Sequence, residues 1–167
     1  MNGIRGSLLT LDPKDAQSLA RLYDTEQPAL GVIVELLREG AADPISVSWM
    51  LKHALERGQQ ISTTESTLLI SSLRDDWAWE AQLHICQCVR YIDTVPGVAR
   101  SLASWIKKRL GHERPFVRAW ALDALCALAE INPRYRRSAE QALSDAKTDS
   151  AASVRARARN LRKSRSR

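Results

Sequence analysis

The chain has 167 residues, 44% of them hydrophobic and 26% charged, with a formal net charge of +6 at pH 7. That length and apolar content suffice for one domain with a sizeable core, and seven Gly, six Pro and no low-complexity run before the last few residues exclude a collagenous or largely disordered chain. No window reaches the ~18–20 uninterrupted apolar residues of a membrane span. No leader-like apolar stretch follows Met1, and Cys86, Cys88 and Cys126 lack Cys-x-x-Cys spacing, so a cytoplasmic protein without a disulfide framework is expected.

Apolar residues recur every three or four positions in segments separated by Pro, Gly, Asp or Asn. The pattern predicts helices over 13–23, 28–39, 44–57, 62–74, 76–91, 96–110, 114–130, 133–146 and 150–163, and no strand. Asp12 before Pro13, Asp43 before Pro44 and Asn132 before Pro133 each place a capping side chain ahead of a proline whose missing N–H costs nothing at a helix start. Asp75, Asp76 and Glu80 fall at a predicted helix start, where carboxylates favour the dipole. Residues 1–163 are expected to form a single helical-repeat domain, with 164–167 a disordered basic tail.

Charge is unevenly spread. Residues 1–83 hold seven Lys/Arg and twelve Asp/Glu, a balance of −5; residues 84–167 hold eighteen and seven, a balance of +11. A basic half of this size attracts anionic partners: nucleic acid, acidic protein segments or an anionic membrane surface.

In the predicted helix 114–130, Phe116, Val117, Trp120, Ala121, Leu122, Ala124, Leu125 and Leu128 cover most of the circumference, which predicts burial on two sides. Stacked helical pairs create such an environment, and a repeat is present. Val117-Arg118-Ala119-Trp120-Ala121 recurs 37 positions later as Val154-Arg155-Ala156-Arg157-Ala158, and Trp79-Glu80-Ala81-Gln82-Leu83 occupies the matching place 38 positions earlier. A weaker copy, Val47-Ser48-Trp49-Met50-Leu51, precedes that one by 32.

The Val-Arg-x-x-Ala start of a second helix, with Asp149 five residues before Val154, resembles the second half of a HEAT repeat, and residues 43–163 resemble the HEAT-repeat, armadillo-like α-solenoid family. His112 stands where that family has an aspartate and Glu80 where it has an arginine. The resemblance implies an all-α fold: a right-handed superhelix of about four antiparallel helix pairs, whose second helices line a concave surface that binds proteins or, in some members, nucleic acid. It also implies a ladder in which Asp149, Arg118 and Arg155 tie one repeat to the next.

Other cations suggest a binding surface. Arg155, Arg159 and Arg162 share one face of the last helix, with Arg157 beside them and Lys163, Arg165 and Arg167 following. Lys107-Lys108-Arg109 closes one helix, where cations favour the dipole, whereas Arg134, Arg136 and Arg137 open the next, where they oppose it. Phosphate or carboxylate partners are a reason for such placement. The candidate binding residues are therefore Arg114, Arg118, Arg134, Arg136, Arg137, Arg155, Arg159, Arg162 and Lys163.

Trp77, Trp79 and Trp120 lie near second-helix starts, close to this basic region, while Trp49 and Trp105 read as core. Trp120, Asp123 and Arg118 superficially resemble the groove residues of HEAT-like enzymes that repair alkylated DNA. His84 and Cys88 share a helical face, and Cys126 lies 38 positions after Cys88, which makes the three a candidate ligand set for a metal, against buried free thiols as the usual fate of such cysteines. No Gly-rich phosphate loop, Gly-x-Ser-x-Gly turn or His-Glu-x-x-His run occurs, and no cofactor or catalytic residue is expected. The leading expectation is a non-catalytic scaffold binding a protein partner; the alternative is a nucleic-acid-binding HEAT-like protein related to the repair glycosylases. Arginines lining one groove would favour nucleic acid, and apolar anchors among a few charges would favour protein.

Overall fold

The computed structural model describes residues 3–10 and 15–165. Among them are ten α-helices and no strand: α1 Gly3–Thr10, α2 Ala16–Glu26, α3 Leu30–Glu39, α4 Pro44–Glu56, α5 Thr63–Ser71, α6 Trp79–Cys88, α7 Pro96–Arg109, α8 Pro115–Ile131, α9 Arg136–Asp145 and α10 Ala152–Arg165. Short 3₁₀ turns follow α6 at Val89–Tyr91, precede α9 at Pro133–Tyr135 and follow α9 at Ala146–Thr148. No described helix is long and apolar enough to cross a membrane.

Local chemistry sets the helix ends. The Asp43 carboxylate accepts from the Ser46 N–H at 2.8 Å, with Pro44 at the first helical position. Ser62 and Glu65 form a reciprocal capping box on α5. Gly40 closes α3 at φ +63°, its N–H reaching the Leu36 carbonyl, a left-handed conformation that a residue without Cβ adopts at little cost. Asn132 caps the 3₁₀ turn rather than α9 itself, accepting from the Arg134 N–H at 3.2 Å. The expected start at Asp12–Pro13 lies outside the described residues; α2 is capped by Asp15, whose carboxylate accepts from the Gln17 and Ser18 N–H groups.

Helices packed on one another form two rows. In one, α4 packs on α6, α6 on α8, and α8 on α10; in the other, α3 packs on α5 and α5 on α7. Contacts of α3 with α4 and of α8 with α7 join the rows, and α9 packs on α8. One continuous apolar cluster runs from Ile4 to Ala158. Helix α8 is central, with Val117, Ala121, Leu122, Leu125 and Leu128 at 1% exposure or less, as a helix flanked by neighbours requires.

Several expectations change here. Phe116 is 61% exposed and is not part of the core of α8, because it lies on the one side of the helix that no neighbour covers. Trp49 is only half-buried, stacking on His53 at 4.8 Å, whereas Trp105 is buried and Trp77 joins the core. Helix α1, absent from the predicted set, packs on α2 through buried Ile4 and Leu8. Helix α10 continues through Arg165, so Ser164 and Arg165 are helical rather than tail; residues 166–167, including Arg167, lie outside the described residues.

Candidate interaction face on α6, α8 and α10

One side of α8 carries a stripe at helical spacing, Phe116, Trp120, Asp123, Ala127 and Glu130, exposed at its two ends and partly buried at Trp120 and Ala127. Asp123 is the exception within it, 2% exposed although ionisable. Two arginines from neighbouring elements account for its burial. Arg90, in the 3₁₀ turn after α6, donates from Nη2 to Asp123 Oδ1, and Arg157 of α10 donates from Nη1 to Oδ2 at 3.2 Å. Both guanidiniums also lie over the Trp120 ring, Arg157 at 3.9 Å from its centre and Arg90 at 5.9 Å. An indole face attracts a cation through its quadrupole, and a carboxylate behind it satisfies the charge. The bond to Asp123 raises the Arg90 pKa above its usual value, and the charges of Tyr91 and Glu130 add to that rise after the cost of burial.

One buried carboxylate thus serves two guanidiniums, with exposed Glu130 as the next anion beside Arg90. Arg90 and Arg157 side chains are 44% and 30% exposed, and each gives one N–H to Asp123 out of the five a guanidinium carries. Exposed Phe116, Tyr91 and Ile131, at 61%, 42% and 44%, supply apolar area along the same helix and the adjoining turn. Arg114, at the N-terminus of α8, sits over Trp79 at 5.6 Å.

A second Asp–Arg arrangement joins α8 to the start of α10. Arg118 donates from Nε and Nη2 to the two Asp149 oxygens at 2.9 and 2.8 Å, and from Nη1 to the His112 and Glu113 carbonyls. Arg155 donates to the Asp149 and Ser150 carbonyls at 2.7 and 2.8 Å. The hydrogen bonds from Arg118 hold the Asp149 carboxyl below the usual range, against the opposing effect of burial. The Arg118–Asp149 pair joins α8 to the loop before α10, as such a ladder would, whereas Arg155 reaches only carbonyls of the loop before its own helix, through Nη1.

The remaining predicted cations do not converge on this face. Arg134 and Arg137 line a cleft of about 590 Å³ between α7 and α9, together with Lys107 and over Leu110 and Leu125. Arg136 is exposed at the start of α9 and Arg159 on α10. Arg162 and Lys163 line an open hollow of about 730 Å³ with Glu140 and Leu143 of α9. The nine residues are therefore split among the α8 N-terminus, the Asp149 loop, two clefts and, for Arg136 and Arg159, the exposed surfaces of α9 and α10, not gathered in one groove.

The Trp120–Asp123 pair is brought together as the sequence suggested, but Arg118 is not its partner; Arg90 and Arg157 are. The signal for Arg157 was present, since it occupies in α10 the repeat position of Trp120 in α8. Arg90 carried none beyond being a lone cation at a helix end.

The candidate ligand trio also separates. His84 Nδ1 lies 3.0 Å from Ser48 Oγ on α4, and burial, with Lys52 adding to it, pushes its pKa down to about 4. All three cysteines are buried, and burial raises the Cys126 thiol to about 11, Cys86 to about 12 and Cys88 further still. Among the described residues no three such side chains are placed to hold a metal ion. Asp75 and Asp76 do not cap α6: Asp75 pairs with Lys108 and with Arg109 at 2.7 Å, and Asp76 takes both ends of the Arg74 fork.

No protein-family model, curated protein or solved structure matches the chain.

Proposed function

We propose that the chain is a HEAT-like α-solenoid acting as a non-catalytic, cytoplasmic protein-binding module, with the row formed by α4, α6, α8 and α10 as its concave side. The two-row packing and the 37- to 38-residue repeat support the architecture. The observation that carries the function is the α8 stripe, where Phe116 and Trp120 form apolar anchors between a few arginines. A protein-binding surface has this composition, aromatic and arginine-rich with little else charged at its centre. Arg118, which a nucleic-acid groove would leave facing the ligand, is engaged with the Asp149 carboxylate and two carbonyls, and Arg155 gives its Nη1 to the Asp149 and Ser150 carbonyls.

The test is affinity capture with the full chain, a Phe116→Asp chain and an Arg134→Ala/Arg137→Ala chain, followed by titration of each captured protein after purification. The expected result is a protein partner lost with Phe116→Asp and retained by the double variant. Partners indifferent to Phe116→Asp overturn the reading.

A second reading, nucleic-acid binding, is favoured by one observation: Trp120, Asp123 and two arginines form a single cluster, and stacking aromatics beside arginines suit unpaired bases. In that case, binding to short single-stranded DNA or RNA falls linearly on a log–log scale as salt rises and is lost with Trp120→Ala.

A further inference from the structure

The Arg90–Asp123–Arg157 cluster carries a more specific statement about the partner, one that rests on the protein-binding reading. A carboxylate shared by two guanidiniums orients both forks without consuming them. Asp123 is held in place by burial within α8, Arg157 is further fixed by its stack on Trp120, and both side chains keep an exposed edge. The forks are ordered before any ligand arrives, which lowers the entropic cost of binding. What such an edge accepts is a planar anion, two parallel N–H groups against two oxygens.

We infer that Arg90 and Arg157 receive the side-chain carboxylate of an acidic residue in the partner, set next to an apolar side chain that covers Phe116. Donor complementarity and adjacency carry the assignment: two exposed guanidiniums, each with one hydrogen bond to Asp123, lie one to two helical turns along α8 from the most exposed aromatic residue of the chain. Asp123 is a positioning residue in this arrangement and does not touch the partner. Glu130, close enough to Arg90 to affect its ionisation, marks the edge of the site where a second acidic group is repelled.

The experiment is selection of a random peptide library on the full chain, with winning peptides resynthesised and titrated against wild type, Arg157→Gln, Arg157→Lys and Phe116→Asp. Thermal melts of each variant establish folding. Selected peptides are expected to pair Asp or Glu with an aromatic or aliphatic residue. Neutralising the acidic residue in the peptide lowers affinity for wild type about tenfold, but has little effect on binding to Arg157→Gln; that coupling identifies the contact. Arg157→Lys, which keeps the charge and loses the fork, is expected to recover only part of the affinity, and it replaces Arg157→Gln if that variant fails to fold. Peptides that depend on Phe116 but carry no acidic residue, or show no coupling to Arg157, overturn the carboxylate inference and leave the protein-binding face standing. A library that yields no binder, or binders indifferent to both positions, overturns both. Single-stranded DNA that binds more tightly than any selected peptide, through Arg157, assigns the cluster to nucleic acid instead.

Discussion

Two aspartates, 26 positions apart, tie α8 to α10 in opposite ways. Asp149 faces one arginine whose three nitrogens are all engaged, since Arg118 places Nε and Nη2 on the carboxylate and Nη1 on two backbone carbonyls. Asp123 faces two arginines and gives each one oxygen. The first arrangement is closed, with side chains 15% and 17% exposed and four hydrogen bonds from the one guanidinium. The second takes up one donor from each guanidinium and leaves the others exposed. Counting donors against acceptors separates the structural arginines from the available ones, where counting arginines along the chain did not.

Arg109 extends the closed class and is expected to show the largest effect of substitution. Buried at 3% exposure, it donates to Gln82, Asp75 and the Trp105 and Arg74 carbonyls and stacks on Trp105 at 3.7 Å. Arg109→Ala leaves the Gln82 Oε1 without its donor and empties the space against Trp105, although Asp75 keeps Lys108 and the Arg74 carbonyl keeps the Trp105 indole N–H; a loss of about 3–5 kcal/mol is expected, read as a fall in the urea midpoint at constant slope. A loss no greater than that of an exposed arginine would break the distinction between closed and open sites. Asp149→Ala comes next, at about 3 kcal/mol, because it strands Arg118 and also removes the acceptor for the Ala151 N–H at 2.8 Å.

The same row contains a neutral bridge against which both charged sites can be compared. Ser48 and His84 join α4 to α6, and burial keeps the imidazole uncharged in the native state down to about pH 4. The unfolded chain takes up that proton near pH 6.5, so it binds more protons than the native state between those values. Stability therefore falls as pH drops from about 6.5 towards 4, by roughly 2–3 kcal/mol from this group, and changes little from it at lower pH. Melts across that window are expected to flatten in His84→Gln; an unchanged slope assigns the pH response elsewhere.

How much of this was legible depends on the range of the interaction. Asp43–Pro44 and the 3.6-residue period are local, and they mark α4 and α8 to within a residue or two. The 37-residue period is longer but still linear, and it gives Arg157 the position in its repeat that Trp120 has in the one before; the pairing of Arg118 with Asp149 comes from the resemblance. Helix α1 is illegible because Gly3 and Gly6 weaken an eight-residue segment whose two buried residues are secured by tertiary packing. Phe116 reads as core because its apolar character gives no sign of which side of α8 lacks a neighbour. Arg90 is illegible for the same reason: its role exists only where the turn after α6 meets the middle of α8.

The Asp123 site is expected to be the more forgiving of the two. Asp123→Asn keeps an acceptor for one arginine, and both guanidiniums are exposed enough to regain water. A cost of about 1 kcal/mol is expected, roughly a third of that at Asp149. Equal losses at the two positions would mean that the donors of Arg90 and Arg157 are as fully engaged as those of Arg118, and that the α8 face has none to spare.

The smallest stability effect is expected at Phe116, and it tests the face most directly. A side chain 61% exposed in the first turn of a proline-started helix contributes little to the fold, so Phe116→Ser is expected to shift stability by no more than about 0.5 kcal/mol. The informative outcome is a split: near wild-type unfolding together with loss of partner binding places Phe116 at a contact made only in the complex. A drop of more than about 1 kcal/mol would show instead that Phe116 is buried in solution by another part of the chain, and the α8 stripe would then be covered rather than open.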